Sequence, residues 1–246
     1  MRPLSSSELL AVWDAGLGQS PLERALALLA AADDSRPDIL ASLPIGQRDG
    51  RLLTLREWTF GARVTAVTTC TGCGQDLELD FVVAEIRADA PADGADAMSL
   101  ARDRHTVRFR PPTSADLMAV RDADPARRPE LLLDRCVVEA RRDGEPVSAG
   151  GLPPAVVDAM VDRMAESDPQ ADVRLAVSCS ACGRTWRAVF DISSYFWSEI
   201  DAWARRILRE VHTLASAYGW AEREVLALSP RRRRVYLEMA SGWTTT

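Results

Sequence analysis

Apolar and polar positions alternate in two pairs of short segments, and a cysteine motif separates the two members of each pair. In the first pair, one side of the alternation is formed by Val64, Ala66, Thr68, Leu77, Leu79, Phe81 and Val83. In the second pair, it is formed by Val173, Leu175, Val177, Trp186, Ala188, Phe190 and Ile192. A period of two is typical of β-strands with one buried face. The pattern therefore predicts two β-hairpins, each with a cysteine motif at its tip.

The two motifs have the same form, CTGCG at residues 70–74 and CSACG at residues 179–183. Two CxxC pairs together supply the four thiolates of a closed tetrahedral zinc site. Gly74 and Gly183 support this interpretation, because glycine tolerates the positive φ of a tight turn that points N–H groups at the sulfurs. We therefore predict a structural Zn²⁺ bound by Cys70, Cys73, Cys179 and Cys182.

The two motifs are far apart, since 105 residues lie between Cys73 and Cys179. A shared metal would close this long loop and remove entropy from the unfolded chain. Two unrelated hairpins with free thiols are the first alternative. A thioredoxin-like redox pair is the second, but its CxxC would open a helix within a βαβ unit, whereas both motifs here lie between predicted strands.

Helical spacing dominates both ends of the chain. The apolar residues from Leu9 to Trp13 predict a short helix, and Ser20-Pro21-Leu22-Glu23 predicts the capping box of a second helix. A third helix is expected over residues 46–58. After the second cysteine motif, a long amphipathic helix is indicated by the stripe Phe196, Ile200, Trp203, Ile207, Val211, Leu214 and Tyr218. Two shorter helices, at 221–228 and 231–240, are expected to follow it.

The segment between the motifs has a mixed pattern. It begins with an acidic, low-complexity stretch at 88–97, which predicts an exposed loop. A strand is expected at 106–110, helices near 112–120 and 131–133, a hairpin turn at Asp143-Gly144, and a helix from Pro154 to Met164.

These elements predict an α+β fold built on a split Cys₄ zinc ribbon. We expect N-terminal helices at 1–61, the two halves of the ribbon at 62–87 and 172–193, an α/β insertion at 88–171, and a C-terminal helical arm at 194–246.

Composition restricts the function. The formal net charge is −6, and all 30 basic residues are arginine. An acidic chain is a poor candidate for non-specific nucleic-acid binding.

Neither a signal peptide nor a stretch of about 20 apolar residues that could cross a membrane is evident, so we expect a cytoplasmic protein. The fifth cysteine, Cys136, lies among apolar residues and is interpreted as a small buried side chain.

Known catalytic motifs are absent from the sequence. It contains no GxSxG, HExxH, P-loop or GxGxxG pattern, and a Cys₄ site leaves no open metal position. The two histidines, His105 and His212, are assigned no catalytic role. We therefore expect a protein that is not an enzyme.

Several segments resemble one family, the baseplate proteins of contractile phage tails and of phage-tail-like contractile injection systems. The resemblance rests most on the paired CxxCG motifs and on EVHTLASAYGW at 210–220. Further similar segments are WDAG at 13–16, LPIGQRD at 43–49, RPPTSADL at 110–117, WSE at 197–199, EVLALS at 224–229 and RRRVYLE at 232–238.

This resemblance implies a non-catalytic baseplate hub subunit or hub assembly factor that acts through contacts with other baseplate proteins and can be incorporated in the particle. A C-terminal arm rich in tryptophan and arginine is consistent with protein binding. The expected partner-binding residues are Trp197, Trp220, Arg231, Arg232 and Tyr236. The alternative is a zinc-ribbon nucleic-acid-binding or regulatory protein, because Arg231–Arg234 form a basic run, although four adjacent helical residues point in different directions.

Overall fold

The computed structural model describes residues 1–88 and 97–242, and the chain divides into two compact units. Unit 1 comprises Met1–Asp34 and Ser193–Thr246, and unit 2 comprises Ser35–Ile192. Both helices and small antiparallel sheets are present, as the prediction of an α+β protein requires. No helix among the described residues is both long and apolar enough to cross a membrane.

The secondary structure is numbered in chain order. The helices are α1 (Ser6–Gly16), α2 (Pro21–Ala32), α3 (Pro37–Ala41), α4 (Ile45–Phe60), α5 (Val83–Ile86), α6 (Ser114–Val120), α7 (Arg128–Cys136), α8 (Pro154–Ser167), α9 (Ile192–Tyr218), α10 (Glu222–Leu226) and α11 (Pro230–Gly242). The strands are β1 (Arg63–Thr69), β2 (Asp76–Val82), β3 (Met98–Arg102), β4 (His105–Phe109), β5 (Val137–Arg142), β6 (Glu145–Pro146), β7 (Arg174–Ser178) and β8 (Thr185–Val189).

Unit 1 is a helical unit in which α1 contacts α2 and α10. The predicted capping box of α2 is present, because the N–H of Glu23 donates to Ser20 and the Glu23 carboxylate accepts from the Ser20 N–H. The predicted stripe of α9 has a buried centre, formed by Phe196, Ile200, Ile207, Val211 and Leu214. Trp203 and Tyr218 are only half-buried. Trp13 donates from Nε1 to Asp201 at 2.9 Å and so joins α1 to α9.

Unit 2 contains the two predicted hairpins. β1 pairs with β2, and β7 pairs with β8, each as an antiparallel two-stranded sheet. The ends of the alternating segments differ from the prediction. Val83 begins α5 and Ile192 begins α9, rather than continuing their strands. Alternation alone cannot locate these ends, because a buried residue at the end of a strand and one at the start of a helix look alike in sequence.

The segment between the hairpins has its own small core. Its sheet has the order β3-β4-β5-β6, and one face of this sheet packs against α8. The buried residues are Val107, Phe109, Ala140, Leu152, Val156 and Met160. The predicted turn is present, with φ of 51° at Asp143 and 92° at Gly144. Cys136 is 2% exposed, and burial raises the pKa of its thiol to about 11.

Three of the elements numbered above were not predicted, namely α3, α5 and β3. Most of the predicted loop at 88–97 lies outside the described residues, since only Ala88 and Ala97 of that stretch are described.

A buried polar junction joins the start of α4 to more distant parts of unit 2. The Ile45 N–H donates to the Pro112 carbonyl at 3.2 Å, and Arg48 donates from Nη1 to Ser114 at 3.2 Å. The Gly46 N–H donates to Asp168 Oδ2 at 2.8 Å. Asp168 therefore caps the start of α4 through Gly46, which lies 122 residues earlier in the chain.

Candidate metal centre and C-terminal surface

The tips of the two hairpins bring four cysteines together. The Sγ atoms of Cys70, Cys73, Cys179 and Cys182 all lie within 4.8 Å of one another. The Sγ atoms of Cys70 and Cys182 are 3.7 Å apart, and so are those of Cys73 and Cys179. Both of these distances are far longer than a disulfide bond of about 2.05 Å. The cluster is therefore compatible with a metal site.

The two turns that carry the cysteines have the same backbone hydrogen bonds. The Gly74 N–H donates to the Cys70 carbonyl at 3.0 Å, and the Gly183 N–H donates to the Cys179 carbonyl at 2.9 Å. Both glycines have a positive φ, 75° at Gly74 and 72° at Gly183. This conformation strains any residue with a Cβ, which explains why both motifs have a glycine at this position.

The sulfur cluster favours a bound cation. The N–H groups of Gly72 and Cys73 lower the pKa of the Cys70 thiol to about 6. At Cys73, the hydrogen bond with the Gln75 backbone lowers the pKa, but the sulfurs of Cys182 and Cys179 outweigh it and raise the pKa to about 12. Four clustered sulfurs thus resist full ionisation unless a cation compensates the negative charge.

A metal held by all four sulfurs would have no open position for substrate or water. Such closed sites are structural in proteins, whereas catalytic zinc sites keep one position open. The cluster includes neither histidine. His105 is buried, with Nδ1 2.7 Å from the Asp103 carbonyl oxygen, and His212 is exposed on α9.

Trp197, the first residue of the predicted partner surface, is buried within unit 1. It is 8% exposed and packs against Gly16, and the Arg24 guanidinium lies 4.5 Å from its ring centroid. In this structure, Trp197 therefore stabilises unit 1 and offers little area to another protein.

Two other predicted partner-binding residues, Trp220 and Tyr236, pack against each other. Their ring centroids are 4.9 Å apart, with the planes at 89°. Tyr218 stacks on Trp220 at 4.8 Å. All three aromatic residues are half-buried, so the helices after α9 fold back over part of their surface.

The arginine run at the start of α11 does not form one basic face. Arg233 is buried and donates from Nε to Glu210 at 2.6 Å, whereas Arg231, Arg232 and Arg234 are exposed. Two apolar residues outside the predicted partner surface, Val235 and Met239, are 43% and 52% exposed on the same helix. We name the side of α11 that carries Arg231, Arg232, Val235 and Met239 the α11 outer face.

A buried polar cluster beside α4 was not predicted from the sequence. Arg48 and Asp49 are 6% and 8% exposed, and they form an ion pair of 2.7 Å. Because charged residues are mostly exposed, nothing local in the sequence marks these two as buried.

Comparison with known proteins identifies one family. The family model described as T4 bacteriophage base plate protein matches residues 23–197, which is more than half of the chain. The matched region contains all four clustered cysteines, the buried junction beside α4 and the start of α9. No curated protein and no solved structure matches the chain.

Proposed function

We propose that this chain, which belongs to the T4 bacteriophage base plate protein family, is a non-catalytic zinc-binding structural or assembly protein of a contractile phage-tail-like baseplate. The observation that carries the proposal is the closed four-cysteine cluster within the matched region. A family of structural particle proteins and a site without an open metal position both favour binding over catalysis.

Zinc is the metal that the sulfur geometry favours. A tetrahedral site with Zn–S bonds of about 2.3 Å has sulfur–sulfur distances of about 3.8 Å. The two distances of 3.7 Å at the cluster fit this geometry. Four thiolate ligands also favour zinc over magnesium or calcium, which prefer oxygen.

The metal would fasten the two halves of a split zinc ribbon, at 62–87 and 172–193. Each hairpin alone is a two-stranded sheet, which is at most marginally stable in water. Joining the hairpin tips through zinc would add binding free energy to the folding of unit 2. The intervening α/β segment at 88–171 would then be anchored at both ends.

The α11 outer face is the surface that we propose for a baseplate partner. It combines exposed arginines with exposed valine and methionine, and arginine and methionine are enriched at protein interfaces. Trp220 and Tyr236 lie beside it and would contribute their exposed edges. Trp197 would act indirectly, by holding α9 against α1.

Co-expression with other baseplate proteins from the same source tests the partner surface. We expect wild-type protein to co-purify with at least one of them, and Arg231→Glu/Arg232→Glu to weaken this association about tenfold or more. A matched control, Arg127→Glu/Arg142→Glu, makes the same charge change at exposed arginines of unit 2 and should bind normally. Equal binding by both double variants would exclude the α11 outer face.

A further inference from the structure

Unit 2 contains a cavity of about 250 Å³ beside the start of α4. Its lining is mostly apolar and includes Leu53, Val173, Val189 and Phe190. Four polar residues also line it, namely Arg48, Asp49, Gln170 and Asp191. Val189 is 67% exposed, so it lies at the mouth of the cavity, whereas Arg48, Asp49 and Gln170 are buried.

Asp49 has an acceptor that the protein does not use. Its Oδ1 accepts from Arg48 Nε at 2.8 Å and lies 2.7 Å from Arg48 Nη2. Its Oδ2 accepts no hydrogen bond from any residue in the described parts of the chain. Gln170, by contrast, uses both ends of its amide, because it accepts from the Ala88 N–H and donates to the Ile86 carbonyl. The Asp49 side chain is still 12% exposed, so Oδ2 can accept a hydrogen bond from a donor group that enters the cavity.

The charge around Asp49 favours a cation. Asp168 and Asp191 act on Asp49 as like charges, and Arg48 is the opposing positive group. Burial is the largest effect and raises the pKa of Asp49 to about 6, with the two neighbouring carboxylates adding to it. A cationic group in the cavity would compensate the buried negative charge of Asp49 and would reduce the repulsion between the carboxylates.

We propose that this cavity accepts an arginine side chain of a neighbouring protein, with the guanidinium bound to Asp49 and the methylene stem on the apolar lining. Arginine fits better than lysine because its guanidinium is more weakly hydrated and carries several donors. An apolar side chain would offer Asp49 Oδ2 no donor, and an anion would meet the carboxylates of Asp49 and Asp191, which both line the cavity. The identity of the neighbour as another baseplate protein rests on the proposed function.

Methyl NMR of the full-length, zinc-loaded protein tests the proposal with small probes. N-acetyl-arginine methylamide should produce saturable shifts at the methyl groups of Leu53, Val173 and Val189. N-acetyl-citrulline methylamide has nearly the same shape without the charge, and should bind about tenfold more weakly or not at all. Binding of the arginine probe should also weaken between pH 7.5 and pH 5, as Asp49 gains a proton in the presence of Arg48, Asp168 and Asp191. Equal shifts with both probes, or none with either, would overturn the proposal.

Two variants locate the binding. Asp49→Asn should lose the arginine probe, and Val189→Arg should compete with the probe by placing a guanidinium at the mouth of the cavity. Val67→Arg is the matched control, because Val67 is 70% exposed on the other hairpin and should leave binding unchanged. If Asp49→Asn does not fold, the Val189→Arg variant alone tests whether the arginine probe binds in the cavity. Wild-type affinity in every folded variant at positions 49 and 189 would refute the assignment.

The same spectra separate this proposal from the proposed function. Loss of the metal centre would change the methyl spectrum before any probe is added, because β7 and β8 lead to two of the cysteines. An intact spectrum that the arginine probe does not shift would refute only the cavity proposal. Neither outcome depends on the identity of a baseplate partner.

Discussion

Phe81 and Phe190 meet edge to face, with ring centroids 5.4 Å apart and ring planes at 87°. Each phenylalanine lies eight residues after the second cysteine of its motif, Cys73 or Cys182. The two hairpins therefore contact each other in two places, through the sulfurs at their tips and through these rings. In both places the contacting residues occupy equivalent positions in the two hairpins. Edge-to-face aromatic pairs of this kind contribute about 0.5–1.5 kcal/mol beyond the area they bury.

The ring pair predicts a measurable coupling. Phe81→Ala and Phe190→Ala should each lower the free energy of unfolding by about 1–3 kcal/mol, less than for fully buried rings because both residues are half-buried. In urea titrations, the double variant should lose about 1 kcal/mol less than the sum of the two. Val67→Ala, at a 70% exposed position on β1, should have little effect. Strict additivity of the two phenylalanine variants would show that the rings do not interact.

Asp116 should make unit 2 sensitive to acid. Its side chain is 1% exposed and accepts hydrogen bonds from Arg110 at 2.6 Å and Arg135 at 2.9 Å. Burial raises its pKa, but the hydrogen bonds from Arg110 and Thr113 outweigh burial and lower the pKa from 3.8 to about 2. A carboxyl group whose pKa is lower in the folded protein than in the unfolded chain stabilises the folded state at pH values above its unfolded pKa. This stabilisation disappears as the pH falls through the pKa of the folded state. The pH-dependent contribution is about 2 kcal/mol.

Asp116→Asn tests this contribution. The variant should be less stable than wild type at pH 6, and the difference should shrink as the pH falls from about 4 to about 2, because wild-type Asp116 becomes protonated. Urea titrations of both proteins over this range measure the difference directly. Any loss of metal at low pH affects both proteins, so it largely cancels from the difference between their free energies of unfolding. A difference that stays constant with pH would contradict the assigned role of Asp116.

Two glycines of α4 offer a test of the buried junction. A Cβ at Gly46 would lie 2.2 Å from Asp168 Oδ1 and 2.8 Å from the Ala171 backbone nitrogen. Gly46→Ala should therefore destabilise the protein by about 1–3 kcal/mol. At Gly50 the nearest atom would be 4.0 Å away, at Gln170, so Gly50→Ala should be neutral or stabilise the helix by up to about 1 kcal/mol. Similar thermal unfolding of both variants would mean that Asp168 does not pack closely on Gly46.

Local patterns in the sequence predicted the elements whose cause is local. The capping box at Ser20, the turn at Asp143-Gly144 and the stripe of α9 each depend on residues close together in the chain, and the structure confirms them. The repeated CxxCG motif also predicted correctly that the four cysteines would meet. The domain boundaries and the partner-binding role of Trp197, Trp220, Arg231, Arg232 and Tyr236 stay predictions.

Features that depend on distant residues were not predictable. Asp168 caps α4 from 122 residues away, and the sequence near either residue gives no sign of this contact. In the sequence, nothing separates Arg233 from its three arginine neighbours. In the structure, it differs from them because it pairs with Glu210 of α9. The burial of Trp197 depends in the same way on Gly16 and Arg24 of unit 1.

We expect one zinc ion to join Cys70, Cys73, Cys179 and Cys182, whose Sγ atoms all lie within 4.8 Å of one another. Zinc X-ray absorption spectroscopy on purified protein of known metal content tests it most directly. We predict one zinc per chain, surrounded by four sulfur atoms at about 2.3 Å, and the loss of both the metal and much of the stability in Cys179→Ser. Folded wild-type protein without zinc, or a spectrum that requires nitrogen or oxygen ligands, would contradict the claim.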